Sequence, residues 1–169
     1  MIRAIVIALL LFTAAVLQTA LFPHITLAGF RPDLLLLLTA VFALREGPLT
    51  GTAVGFGAGM LGDLLLAHPP LGLSGIVLLA VGYAVGVLRP YLAVGSVTPP
   101  LIVAFSSGLA ATVGYGVLSR LLGDPRFALE FVLQAALVVA LYNTLLASPA
   151  FMIVSSLSTR FPSQRNTQL

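Results

Sequence analysis

Hydrophobic and polar positions fall along this chain in long blocks. After Arg3 an apolar run reaches Leu21, about 18 residues or roughly 27 Å of helix, close to the thickness of a bilayer core. It is long for the apolar part of a signal peptide and further runs follow it, so it is predicted to stay as an uncleaved helix. A break from Phe22 to Phe30, with Pro23, His24 and Gly29, leads to Arg31-Pro32-Asp33 and then five leucines. Proline at a first helical position beside an acid is a helix start, with Asp33 as a first-turn charge for exposed backbone N–H groups. This second run ends near Leu44, before Arg45-Glu46-Gly47-Pro48. Being short, it is predicted to sit in protein and not in open lipid.

The third run spans Pro48 to Ala67 and is stopped by His68-Pro69-Pro70; the fourth spans Leu71 to Leu88 and ends at Arg89-Pro90. Thr98 is predicted to cap a fifth helix with Pro99 and Pro100 at its first positions, where missing N–H groups do no harm. A polar break from Leu121 to Arg126 precedes a sixth run, Phe127 to Ser148. Pro149 is then predicted to kink or end the helix, leaving Ala150 to Phe161 as a continuation or an interfacial piece. The expected fold is an all-α integral membrane protein of about six transmembrane helices, a single domain over residues 1–161 with a polar tail at 162–169.

Small residues subdivide these runs. Gly51, Gly55 and Gly59 recur every fourth residue and Gly62 follows three later, so all four lie along one helix face. Glycine in a water-exposed helix costs about 1 kcal/mol relative to alanine, but in lipid such a row lets a second helix approach closely. Gly75, Gly82 and Gly86 make a second small face on the fourth run, and a short connection makes the third and fourth antiparallel neighbours. Ala104, Gly108, Thr112 and Gly116 make a third row on the fifth. This is more close-packing surface than a six-helix monomer readily uses, so an outside helix is expected on the Gly51, Gly55, Gly59 row. Asp63, one turn beyond, is the one charge well inside an apolar segment and needs a donor or a proton. Arg31 should lie on the same side of the membrane and is the expected partner, so Asp63, Arg31 and Asp33 form the candidate buried polar site.

Composition supports the membrane reading: 59% of the 169 residues are hydrophobic, 8% are charged and the mean hydropathy is +1.12, where a soluble domain carries about a quarter charged residues. The chain has no cysteine, which excludes disulfides, thiolate nucleophiles, iron–sulfur clusters and cysteine zinc sites. The net charge of +3 comes from arginines in short loops, a topology signal and not a nucleic-acid footprint. With the N-terminus in the cytoplasm, Arg3, Arg45, Arg89, Arg160 and Arg165 lie inside, against Arg31, Arg120 and Arg126 outside. Both termini are therefore expected in the cytoplasm.

Catalytic constellations are sparse. Gly72-Leu73-Ser74-Gly75 spells the GxSG of rhomboid intramembrane proteases, whose serine needs a histidine base from a later helix. The histidines, His24 and His68, both precede Ser74, so Ser74 reads as a small polar residue at a helix start. Two distant histidines give no metal spacing, and the glycines of the third run follow no strand, so no nucleotide motif is formed. Asp63, Glu130, Gln134 and Asn143 could line a transport path, but Gln134 and Asn143 are nine residues apart and point to opposite sides of a helix. No catalytic, cofactor or metal residue is assigned.

RPDLLLLL at Arg31 to Leu38, GFGAGMLGDLLL at Gly55 to Leu66 and PLGLSGIVLLAVGYAVGVL at Pro70 to Leu88 resemble the rod shape-determining protein MreD family in order and spacing, and the first helix fits as well. The resemblance covers about residues 1 to 90. It implies a multi-pass component of the bacterial plasma membrane, without catalysis or cofactor, that serves the cell-elongation machinery. It further implies that the protein holds the single-span protein MreC, in company with the glycosyltransferase RodA, its partner transpeptidase and, indirectly, MreB. Members of this family also look like the substrate-binding component of energy-coupling-factor vitamin transporters, which is the alternative reading.

Overall fold

The computed structural model describes residues 2–20, 29–66, 71–92, 98–124 and 128–160. They form α1 (Ile2–Ala20), α2 (Leu34–Glu46), α3 (Pro48–Leu66), α4 (Leu73–Leu88) followed by a 3-10 turn (Arg89–Tyr91), α5 (Thr98–Leu121) and α6 (Leu129–Arg160). The chain is an all-α membrane protein. Four of the helical stretches are long and apolar enough to cross a membrane: α1, α4 with its 3-10 turn, α5 and α6. The tail at 162–169, His24 and His68 lie outside the described residues.

The bundle is centred on α2, which touches each of the other five helices. Its 13 residues reach only about 20 Å, well short of a hydrocarbon core of about 30 Å. Protein surrounds it instead, and every residue from Leu35 to Leu44 is buried. An all-round apolar helix is stable only where all its faces are covered. The short leucine-rich run therefore sits in protein, as its length predicts. One boundary moves: the helix opens at Leu34 with Asp33 as its N-cap, whose Oδ1 accepts from the Leu36 N–H at 3.0 Å. Pro32 precedes the cap and is not the first helical residue.

α1 is the loosest element. It buries only Leu11, Ala14, Ala15 and Gln18 and leaves Ile2, Ile5, Leu9 and Phe12 on the outside. α5 and α6 form a second antiparallel pair along the small-residue row of α5. A Cβ on Gly108 would stand 2.7 Å from Ala140 Cα, and one on Gly116 would stand 2.6 Å from Val132 Cγ2. Of the alternatives at Pro149, continuation holds: the proline lies inside α6 and the helix runs on to Arg160. Its 32 residues measure about 48 Å, longer than a bilayer core. The last three turns are held against the bundle by Ala150 and Val154, both buried, so lateral packing outweighs the backbone bond that the proline removes.

Candidate functional site

The α3–α4 seam is built from the glycines on both helices. Antiparallel pairing places Pro48 against Gly86, Gly51 against Gly82, Gly55 against Leu78 and Gly59 against Ser74 and Gly75. A Cβ on Gly55 would stand 2.7 Å from the Leu78 carbonyl carbon and 2.9 Å from Thr39 Cγ2; one on Gly59 would stand 2.5 Å from Gly75 Cα. Gly51 has the Gly82 carbonyl and Ala43 in the same positions. Backbone meets backbone along the whole seam, the close approach that small-residue rows permit in lipid. An outside helix cannot use this row. The expectation that Gly51, Gly55 and Gly59 receive one is overturned because α4 fills the groove, with Thr39 and Ala43 of α2 behind it. Gly62 faces Leu35 of α2, with Leu35 Cδ1 3.2 Å from its would-be Cβ.

Asp63 is 1% exposed and lies at the end of that seam. Its Oδ2 accepts from the Gly72 N–H at 2.7 Å and the Ser74 N–H at 3.2 Å. It thereby closes the start of α4, where Gly72 takes a left-handed φ of 94° and offers no side-chain cap. Helix N-termini leave N–H groups without partners, and in a membrane no water is at hand for them. The expected pairing with Arg31 is absent: no ion pair joins the two. A carboxylate from the last turn of α3 satisfies the same need as a cap, with Leu71 and Gly72 in a turn just before α4.

The start of α2 is treated in the same way by residues from three elements. Besides the Asp33 cap, the Leu34 N–H donates to Gln18 Oε1 of α1 at 3.0 Å and the Asp33 N–H donates to Asn143 Oδ1 of α6 at 3.1 Å. Each such bond contributes about 1 kcal/mol, and a buried N–H left alone would cost about 1 to 3 kcal/mol. Asn143 is fully buried while Gln134 and Glu130 are exposed, so the two amides of α6 do face opposite ways. Gln18 carries a role that its position alone does not reveal; the one hint is an amide within an otherwise apolar helix.

Around these two buried helix starts lies a partly open cavity of about 430 Å³, to which all six helices contribute. Asp63, Asp33, Arg31, Gln18 and Ser74 are on its wall. The structure thus brings Asp63, Arg31 and Asp33 to one cavity without joining the first two. At the opposite end of the bundle, Arg3 of α1 pairs with Glu46 of α2, whose other carboxylate oxygen accepts from Ser158 Oγ of α6 at 2.8 Å. Arg45 lies 5.2 Å over the Phe151 ring. This clamp ties the loosest helix and the end of α6 to the central one. No group of three or more metal-ligating side chains occurs among the described residues.

Compared with known families, residues 1–159 match the family of the rod shape-determining protein MreD. The chain belongs to the MreD family. No curated protein and no solved structure matches it. The family match runs through α5 and α6, past the residues whose motifs carry the resemblance, so the whole MreD bundle and not just its first four helices is the family's unit. Rod shape determination is the role this places on the chain.

Proposed function

We propose that this MreD family member is a non-catalytic membrane scaffold of the bacterial cell-elongation machinery, with MreC as its direct partner and the peptidoglycan-synthesising RodA complex as its wider setting. The observation that carries the reading is the family match over nearly the whole chain. The fold supports it: the small-residue rows are spent inside, giving a close-packed body, while one helix is held by a single face. Only 17% of the apolar stretch of α1 is buried, against 44% for α4 with its 3-10 turn. A single-span partner helix would find an unused apolar face there. The energy-coupling-factor alternative draws its support from the cavity, but the family match favours shape determination.

Counting charges gives the orientation we propose. Arg3, Arg45, Arg89 and Arg160 share the Glu46 end of the bundle, while Arg31 and Arg120 lie at the Asp63 end. Positive residues favour the cytoplasm, so the clamp faces inward, both termini are cytoplasmic and the cavity opens toward the outer face of the plasma membrane. The test of function is co-purification of MreC from native membranes at matched expression. Phe12→Ala and Leu9→Ala together, on the outer face of α1, should lower MreC recovery and round the cells. Full recovery with normal rods would remove α1 as the contact, and failure of MreC to co-purify with the unaltered protein would remove the scaffold reading.

A further inference from the structure

We propose that the cavity at the Asp63 end binds an anionic amphiphile, with one apolar chain inside and a phosphate or carboxylate head on Arg31. The wall is mainly apolar, with Leu35, Ala58, Val77, Ala111 and Ala135 from five different helices or their ends. Its volume of about 430 Å³ sits in the lower part of the range of about 300 to 1,000 Å³ for ligand pockets. That is room for a single chain or small body and not for a two-chain lipid whole. Three formal charges border the space. Asp63 already holds two backbone N–H groups and Asp33 holds one. Asp33 is the N-cap of its own helix, whose dipole offsets roughly half a unit of negative charge, and Asp63, in the last turn of α3, faces the N–H groups at the start of α4.

Arg31 is different. It is exposed at the cavity wall and makes no ion pair or side-chain hydrogen bond among the described residues. It is therefore the uncompensated charge of the site, and a guanidinium fork takes a phosphate or carboxylate with two parallel bonds. A cationic head would instead have to compete with backbone donors for Asp63 or Asp33. Beside Arg31, Phe30 packs on Phe131 with ring centroids 5.2 Å apart, and both rings line the cavity, an apolar surface for the first carbons of the chain. The head chemistry is shared by a membrane phospholipid and by a free amphiphile. The proposal does not depend on the scaffold reading, since it requires no protein partner.

The test uses the full chain in phosphatidylcholine nanodiscs with dansyl-undecanoic acid, whose emission rises in an apolar site. The expected result is a saturable signal above empty discs. Arg31→Gln, on an exposed residue outside the helices, should weaken it about tenfold, and Ala111→Leu, which fills the wall, should abolish it. A parallel arm adds phosphatidylglycerol and reads retained lipid by native mass spectrometry. Displacement of the probe, with one retained phosphatidylglycerol that Arg31→Gln loses, supports the proposal with a membrane lipid as the source. Probe binding unaffected by phosphatidylglycerol supports it with a free amphiphile. Equal binding of the probe's methyl ester, wild-type affinity in Arg31→Gln, or neither probe signal nor retained lipid would each overturn it.

Discussion

Gly55 offers the sharpest test of the α3–α4 seam. A methyl group there would stand 2.7 Å from the Leu78 carbonyl carbon and 2.9 Å from Thr39 Cγ2, so the added atom meets backbone on one side and a stiff β-branched side chain on the other. Neither can rotate away, and relief requires α3 and α4 to part. Overpacking of this kind costs about 1 to 3 kcal/mol, while alanine regains up to about 1 kcal/mol of helix propensity over glycine. Gly55→Ala should therefore lose about 1 to 2 kcal/mol net, a shift of roughly five- to thirtyfold in the folding equilibrium. Gly57 lies on the same helix with nothing within 4 Å of its would-be Cβ, so Gly57→Ala should be neutral or mildly stabilising. The assay is reversible unfolding in mixed micelles with increasing dodecyl sulfate, followed by helical circular dichroism. Gly55→Leu should go further and remove the protein from the membrane, because four heavy atoms cannot be accommodated between two backbones. If Gly55→Ala proves as stable as Gly57→Ala, α3 and α4 do not meet as closely as described and the groove would again be open to an outside helix.

Asp63→Leu should cost about 2 kcal/mol by stranding the Gly72 and Ser74 N–H groups, Asp63→Asn about half of that because an amide oxygen still accepts, and Arg31→Gln nothing in the same unfolding assay; a loss with Arg31→Gln equal to that of Asp63→Leu would restore the ion pair. Glu46→Ala removes the partner of both Arg3 and Ser158 and leaves Arg3 unpaired at a half-buried site, so it should loosen α1 and speed cleavage of an engineered protease site after Ile2 by severalfold; unchanged cleavage would mean that α1 is held by packing alone. For topology, a reporter active only outside the cytoplasm should stay silent when fused after Leu169 and be active when placed between Arg120 and Asp124; activity at the C-terminus would reverse the orientation read from the arginines.

The sequence by itself determined the solvent, the helix count and much of the pairing. Apolar runs of this length, with nearly all charges at their ends, leave helices as the structure in lipid, since each backbone group is then satisfied within its own segment. The four-residue glycine spacing identified faces that must meet another backbone, and the short turn between the third and fourth runs named the neighbour for one of them. The tertiary structure decided what these local signals cannot contain. A glycine row states that something approaches closely but not what, and α4 took the place expected for an outside helix because its own Gly82 and Gly75 meet Gly51 and Gly59 in antiparallel register. Asp63 demanded a donor, and the donor proved to be the start of α4 and not a distant arginine, because a backbone end nine to eleven residues away is reached without ordering a long side chain. The central place of α2 was legible only as shortness. Gln18 and Asn143 lie 125 residues apart in the chain, and their joint service to the N-terminus of α2 exists only once α1 and α6 are folded around it, which no periodicity along a single helix records.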